Sequence, residues 1–391
     1  MSEPTAIAPP PPSPTLEKIV LIGRTGDDIG AAHGSRWPRE IAALAALRTR
    51  LALERGDFGS KATVRALASA HLPVLEAYDA SLYAELCATA AAARVRVADL
   101  VTLNHYTDLR DISRSIWAPL VGPDPAADVD PGGCSVALLP SGPGQAVSGQ
   151  TWDMHGTATP FVRMVEVRQP GHPTATLLTL TGCLGLAGMN EEGVAVLINN
   201  LNCTDARVGV VWGAVVRRML RERTASAALD VLRETRFGSG HHYMVSDGRE
   251  AFAVETTGQR VVELARGIAQ PILHTNHCLI ADLRPVEKVP PTSTTYARLS
   301  HLERRVALLD GPATAESMAA LLSDHQGFPN SLCTHTSLAT GNPDASDTCA
   351  AVVFDSVGRR LLAVAGCAVS GTWVETRPGD DDARPIARPT L

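Results

Sequence analysis

Apolar residues recur at helical spacing through residues 38–115, most clearly at 42–54 and 82–93, where Ala, Leu, Glu and Arg dominate. The pattern then changes. Residues 134–139, 145–152, 161–167 and 174–181 are short β-prone runs, and 194–201 follows a turn at Asn190-Glu-Glu-Gly193 that predicts a hairpin. Helical spacing returns at 210–223 and 225–234, strands at 242–245, 251–255 and 260–264, and helices at 295–309 and 314–323. A last hairpin pairs 349–355 with 360–364 through a turn at 356–358. Such blocks of strands and helices predict an α+β protein in which helices cover antiparallel sheets.

The two halves meet at 121–133, a stretch of Pro, Gly and Asp that is neither helix nor central strand, because Pro removes backbone donors and Gly and Asp favour turns. Residues 1–18 contain the proline run Pro9 to Pro12 and read as a disordered tail without a secretory pattern. The expected organisation is therefore a tail at 1–18, a helical chain at 19–133 and a catalytic chain at 134–391.

Composition narrows the function classes. The net charge of −6 lacks the footprint of a nucleic-acid-binding protein, and no apolar run reaches the length of a membrane span. The densest basic cluster, Arg217, Arg218, Arg221 and Arg223, reads as a solvated helix face. Eight cysteines scattered through so long a chain argue against a disulfide framework and for reduced thiols, hence a cytoplasmic setting. Cys183, Cys203, Cys333, Cys349 and Cys367 read as structural.

Candidate chemistry centres on Gly133-Cys134. A thiol can attack the preceding carbonyl when the peptide is accessible, and glycine there has no Cβ to clash. Hydrolysis of the resulting thioester would leave a chain beginning at Cys134, whose free α-amine, with a pKa near 8, can act as base at neutral pH. Taken alone, the dipeptide also fits a turn and a buried thiol. Asp153 likewise fits a strand-end turn, and Asn276 a capped turn.

Several ordered motifs add to this: Gly149-Gln-Thr-Trp-Asp153, Phe161-Val-Arg-Met-Val-Glu-Val-Arg168, Gly188-Met-Asn-Glu-Glu-Gly-Val-Ala-Val196, Leu273-His-Thr-Asn-His-Cys-Leu279 and, upstream, Ile29-Gly-Ala-Ala-His-Gly34. Together with Gly133-Cys134 they resemble the isopenicillin N acyltransferase (acyl-coenzyme A:6-aminopenicillanic acid acyltransferase) family of self-cleaving N-terminal-nucleophile (Ntn) hydrolases. The likeness spans most of residues 20–365. It implies a four-layer αββα sandwich, two antiparallel sheets between helical layers, forming one domain cut into two chains that remain a heterodimer. It also implies cleavage between Gly133 and Cys134, and Cys134 as nucleophile. Asn276 and the backbone N–H of Asn200 would form the oxyanion hole, with Asp153 orienting the nucleophile.

The implied activity is cleavage or transfer of an acyl group from a small-molecule amide or thioester through a Cys134 thioester. No cofactor is required, although a coenzyme A thioester is an admissible acyl donor. Neither nucleic acid nor membrane is an expected partner. One departure stands out: the family arginine before the penultimate hairpin strand is missing from Asp344-Ala-Ser-Asp-Thr-Cys349, leaving Arg163, or the Cys134 amine itself, to partner Asp153. The competing reading is a catalytically silent, uncut member that binds a small molecule. Metal is not expected, because His274, His277 and Cys278 match no common zinc spacing. His155, His241 and His242 are left outside the catalytic set.

Overall fold

The structure, a computed structural model, describes residues 15–56, 58–121 and 133–390, with side chains of 114–121 excepted. The chain opens with β1 (Lys18–Ile22) and six helices: α1 (Gly26–Arg36), α2 (Pro38–Arg55), α3 (Lys61–Ala70), α4 (Leu72–Tyr78), α5 (Ala80–Ala92) and α6 (Val97–Val121). Six strands follow: β2 (Ser135–Gly142), β3 (Gln145–His155), β4 (Val162–Arg168), β5 (Ala175–Leu180), β6 (Ala187–Asn190) and β7 (Ala195–Leu201). Next come α7 (Trp212–Met219), α8 (Ala225–Glu234), β8 (Gly240–Ser246), β9 (Ala251–Thr256), β10 (Val261–Arg266) and β11 (Ile272–His274). The chain ends with α9 (Thr295–Val306), α10 (Ala315–Leu322), α11 (Thr336–Thr340), β12 (Ser346–Asp355), β13 (Arg360–Ala365), β14 (Val374–Thr376) and β15 (Arg384–Pro385).

The strands form two sheets, ordered β1-β4-β5-β6-β7-β8-β9-β10 and β11-β2-β3-β12-β13-β14-β15. Side chains alternate across a strand, and here both faces are apolar. On β12, Ala350, Val352 and Phe354 join the core between the sheets, while Ala351 and Val353 join a second core beneath α9 and α10 with Leu302, Met318 and Leu322. Burial on both sides is why these strands read in the sequence as continuous apolar runs. The N-terminal helices, α7 and α8 cover the first sheet. The expected α+β sandwich of helix, sheet, sheet and helix is the observed architecture.

Three expectations are corrected. The sheets are antiparallel except at one edge, where β1 joins β4 in parallel. The last residues of the expected tail are part of the fold: Leu16 packs into the core and the buried Lys18 Nζ pairs with Glu166 (2.5 Å). The rest of the expected tail, like most of the Pro/Gly boundary before Gly133, lies outside the described residues. Nor is the arginine cluster a solvated face. Arg217 makes a buried two-pronged bond to Glu85 (2.7 and 3.1 Å), Arg218 donates to Tyr78 O (2.7 Å) and Arg221 pairs with Asp79 (2.9 Å), so three of the four arginines bind the N-terminal helices to the rest.

The motif at 29–34 marks a close helix contact. A Cβ at Gly30 would strike the Glu85 carbonyl, and one at Gly34 that of Thr89, so the glycines let α1 lie directly on α5. His33 between them accepts a hydrogen bond from Gly182 N (2.9 Å), and burial lowers its pKa to about 4.

Glu85→Ala is expected to lower stability by about 3–5 kcal/mol, since it leaves the Arg217 guanidinium buried and unpaired. Glu54→Ala, which breaks an exposed pair with Arg50, should change it by less than about 1 kcal/mol. Denaturant midpoints of the two variants would show equal losses if the buried pair were unimportant.

Candidate active site

Cys134 immediately precedes β2, whose pairing sets Ser135 opposite Thr151 on β3. Two residues of the Gln-Thr-Trp-Asp motif bear on the Cys134 thiol: Gln150 and the Asp153 backbone favour its ionised form, and the Asp153 carboxyl opposes it. Gln150 also spans the gap between the sheets: its Nε2 donates to Ile198 O (2.6 Å) and its Oε1 accepts from Ile198 N (3.1 Å). That fixes β7 against Cys134. From β7, Asn199 Nδ2 donates to Cys134 O (3.0 Å).

A buried arginine that the sequence reading passed over holds the other side. Arg298, on α9, donates through Nη1 to Cys134 O (3.0 Å) and Ser135 Oγ (3.1 Å), and through Nη2 to Asn276 Oδ1 (2.9 Å). Fixed in this way, Asn276 turns its amide nitrogen to Asn200 O (2.9 Å). Its own backbone N–H is held by Thr295 Oγ1 (2.7 Å). Gly133 packs against this assembly. A Cβ on residue 133 would overlap the Asn276 amide and lie 2.7 Å from Arg298 Nη2.

All the site residues expected from the sequence are therefore gathered at one cleft, lined by Cys134, Trp152, Asp153, Asn200, Trp212 and Asn276 among others. Asn200 turns its carbonyl toward Asn276, and its side-chain nitrogen is bonded to Asn202. Arg110 adds a guanidinium to the wall whose Nε and Nη1 have no hydrogen-bond partner. Arg163 does not partner Asp153. It stacks over Trp37 and spends its N–H groups on the carbonyls of Pro160 and Val162, because β4 lies in the other sheet. Arg298 supplies the positive charge near Asp153 instead.

The motif at 273–279 divides its work. His274 Nε2 faces Glu255 (2.9 Å) and its Nδ1 faces Thr275 O (2.6 Å), all buried, so neither nitrogen is spare for a metal. Stacked on His274 at 3.8 Å, His242 hydrogen-bonds Asn199 through Nδ1 (2.7 Å). Burial and the adjacent His274 push the pKa of His242 well down, leaving it neutral. His241 lines the cleft with its pKa lowered by burial to about 3. His155 is buried away from it.

Burial, reinforced by Asp153, pushes the Cys134 thiol up to about 12, so in the uncut chain it is protonated. Asp153 is raised to about 7, mainly by burial. The Arg298 charge and a bond from Thr348 Oγ1 to Asp153 Oδ1 (2.7 Å) oppose that rise. Thr348 reaches it from β12 beside a β-bulge at Cys349. The other carboxylate oxygen, Oδ2, is buried without a partner.

A pair of apolar-cored sheets between helical layers is the αββα sandwich of the Ntn-hydrolase fold. Residues 141–366, more than half the chain, match the family described as acyl-coenzyme A:6-aminopenicillanic acid acyl-transferase. The protein belongs to that acyl-transferase family. The 40 kDa form of the acyl-coenzyme A:6-aminopenicillanic-acid acyltransferase of Emericella nidulans is 27% identical over 338 residues, covering 86% of this chain and 89% of that protein. Among solved structures, penicillin V acylase from Agrobacterium tumefaciens overlaps with a TM-score of 0.34 at 13% identity, over 66% of this chain and 99% of its own. A variant of the conjugated bile acid hydrolase from Clostridium perfringens overlaps at 0.30 and 9%, over 65% and 92%. No helix among the described residues is long and apolar enough to cross a membrane.

In the uncut chain, folded Asp153 keeps its proton up to about pH 7, whereas the unfolded chain releases it near pH 4. A proton held only by the folded state favours folding. The contribution is full below about pH 4 and is lost as pH rises through about 7, a loss on the order of 4 kcal/mol at higher pH. In a Cys134→Ala background, Asp153→Asn should therefore leave stability nearly unchanged at about pH 4 and raise it by a few kcal/mol at about pH 8. Chemical denaturation across that range tests this, and a difference independent of pH would contradict the assignment.

Proposed function

We propose that the protein is a self-processing cysteine amidohydrolase or acyltransferase, with Cys134 as nucleophile. The observation carrying this reading is the packing of Gly133 directly beneath Asn276 and Arg298, a position no larger residue could take. In the first reaction the Cys134 sulfur attacks the Gly133 carbonyl carbon. The C–S bond forms, the peptide C–N bond breaks, and the departing α-amine keeps the thiol proton. Water then releases Gly133 as a carboxylate and restores the thiol.

The new α-amine emerges near Asp153, whose unpartnered Oδ2 suits it as acceptor. There the amine can take the thiol proton as a substrate amide or thioester is attacked, and give it to the departing group. Asn276 has a second amide hydrogen besides the one on Asn200 O, and with the Asn200 backbone N–H it would stabilise the oxyanion. The acyl thioester ends on water or on an amine, and a coenzyme A thioester fits the same scheme as donor.

The N-terminal piece would stay in place after the cut. It supplies β1 to the first sheet, and the Lys18–Glu166 and Glu85–Arg217 pairs are buried. The products would thus form a heterodimer of residues up to 133 and from 134 onward.

Intact mass under denaturing conditions tests the first step. Wild type should give two pieces divided between Gly133 and Cys134, and Cys134→Ala a single 41.2 kDa chain. One uncut chain in both would abandon self-processing and favour a silent small-molecule binder. In processed enzyme made by co-expressing the two pieces, Asn276→Ala should reduce kcat for acyl release by about 10²–10³ with little change in KM. An unchanged kcat would remove Asn276 from the oxyanion hole, and comparing release with and without an amine acceptor separates hydrolysis from transfer.

A further inference from the structure

On the far side of Thr348 from Asp153, four side chains from three separate segments turn toward one point. They are His325, in the turn after α10; Cys333 and His335, flanking Thr334 before α11; and Cys367, just past the end of β13. One ligand atom from each lies within 4.8 Å of the other three. Cys367 Sγ is 3.3 Å from His325 Nε2 and 4.0 Å from Cys333 Sγ, and Cys333 Sγ is 3.4 Å from His335 Nε2. The imidazole rings of His325 and His335 meet edge to face at 5.3 Å. Cys333, His335 and Cys367 are buried, and His325 is half-buried.

These separations are those of ligands around a metal. Zinc at about 2.3 Å from sulfur and 2.0–2.1 Å from nitrogen, in tetrahedral geometry, sets two sulfurs about 3.8 Å apart and a sulfur and a nitrogen about 3.5 Å apart. A disulfide would require the two sulfurs at about 2.05 Å. We infer that His325, Cys333, His335 and Cys367 form a Cys2His2 zinc site. Two thiolates neutralise the dication, which allows the group to be buried, and four protein ligands leave no position for water or substrate. The site is therefore structural. Ser370 N–H, 3.4 Å from Cys367 Sγ, supplies the kind of outer hydrogen bond that fixes a thiolate ligand.

The surrounding backbone shows what the metal would hold. Cys333 N donates to Asp324 O (2.9 Å), which ties the turn bearing His325 to the segment bearing Cys333. Between Cys333 and His335, Thr334 exchanges two bonds with Thr348: its N–H donates to Thr348 Oγ1 (2.9 Å), and its carbonyl accepts from Thr348 N (2.7 Å). Thr348 Oγ1 is the group that donates to Asp153. One zinc would thus clamp the strand end that positions Asp153, without touching substrate. This departs from the sequence reading, which expected no metal and gave Cys333 and Cys367 ordinary structural places.

Metal content of the full-length protein, produced in zinc-replete medium and measured by inductively coupled plasma mass spectrometry, is the test. About one zinc per chain is expected in the wild type and equally in Cys134→Ala, falling to about a tenth or less in Cys333→Ser/Cys367→Ser. Should that variant fail to fold, wild-type protein grown with cobalt provides the second readout. It should show thiolate-to-cobalt charge transfer and the strong visible bands of a tetrahedral site. Wild type without stoichiometric zinc, zinc unchanged in the double serine variant, or a Cys333–Cys367 disulfide in peptide maps of freshly purified protein would each overturn the assignment.

Discussion

A buried guanidinium holds the candidate site together. Arg298 is fully enclosed, and desolvation of a cation in such a place is tolerable only where donors and charges are answered. Its N–H groups meet the Cys134 carbonyl, the Ser135 hydroxyl and the Asn276 amide oxygen, and Asp153 lies close enough to feel its charge. Those groups come from the head of β2, from β3 and from the loop after β11, so the one side chain fixes the positions of these segments relative to α9. Remove it, and Cys134 O, the Asn276 orientation and the ionisation of Asp153 all lose their reference.

Around that cation the polar groups form a sequence of partners buried between two apolar-faced sheets. Glu255 holds His274, His274 stacks on His242, His242 fixes Asn199, and Asn199 binds the Cys134 carbonyl. On the opposite side Gln150 stitches β3 to β7 as a strand backbone would. Buried polar groups of this kind are costly unless satisfied. Among the described residues, the buried atoms left without partners include Asp153 Oδ2, Asn200 Oδ1 and two nitrogens of Arg110, all in residues that line the cleft.

Most of this architecture was legible in the chain because strands buried on two faces leave continuous apolar runs and the motifs fall at their ends. The gathering of Cys134, Asp153, Asn200 and Asn276 was implied by the family resemblance. What escaped was set by tertiary contact. β1 is a short strand isolated before helices. Arg298 stands one turn from Thr295 and Leu302 on the buried stripe of α9, a spacing that marks it as inward-facing once an arginine is admitted there. Arg217 and Arg221 read as part of a solvated patch because their acidic partners lie more than a hundred positions upstream. The His325, Cys333, His335 and Cys367 group, with sulfur and nitrogen partners separated by 2, 34 and 42 positions, has no local signature at all.

The distance along the chain between Cys134 and Arg298, 164 positions, bears on when the molecule can become active. The groups that surround the Gly133–Cys134 bond are supplied by strands, a loop and a helix that emerge from the ribosome long after it. Under the self-processing proposed above, a peptide bond that breaks only inside that assembly would be silent in any nascent, truncated or misfolded chain. Maturation would then serve as the molecule's own record that its two sheets have closed correctly.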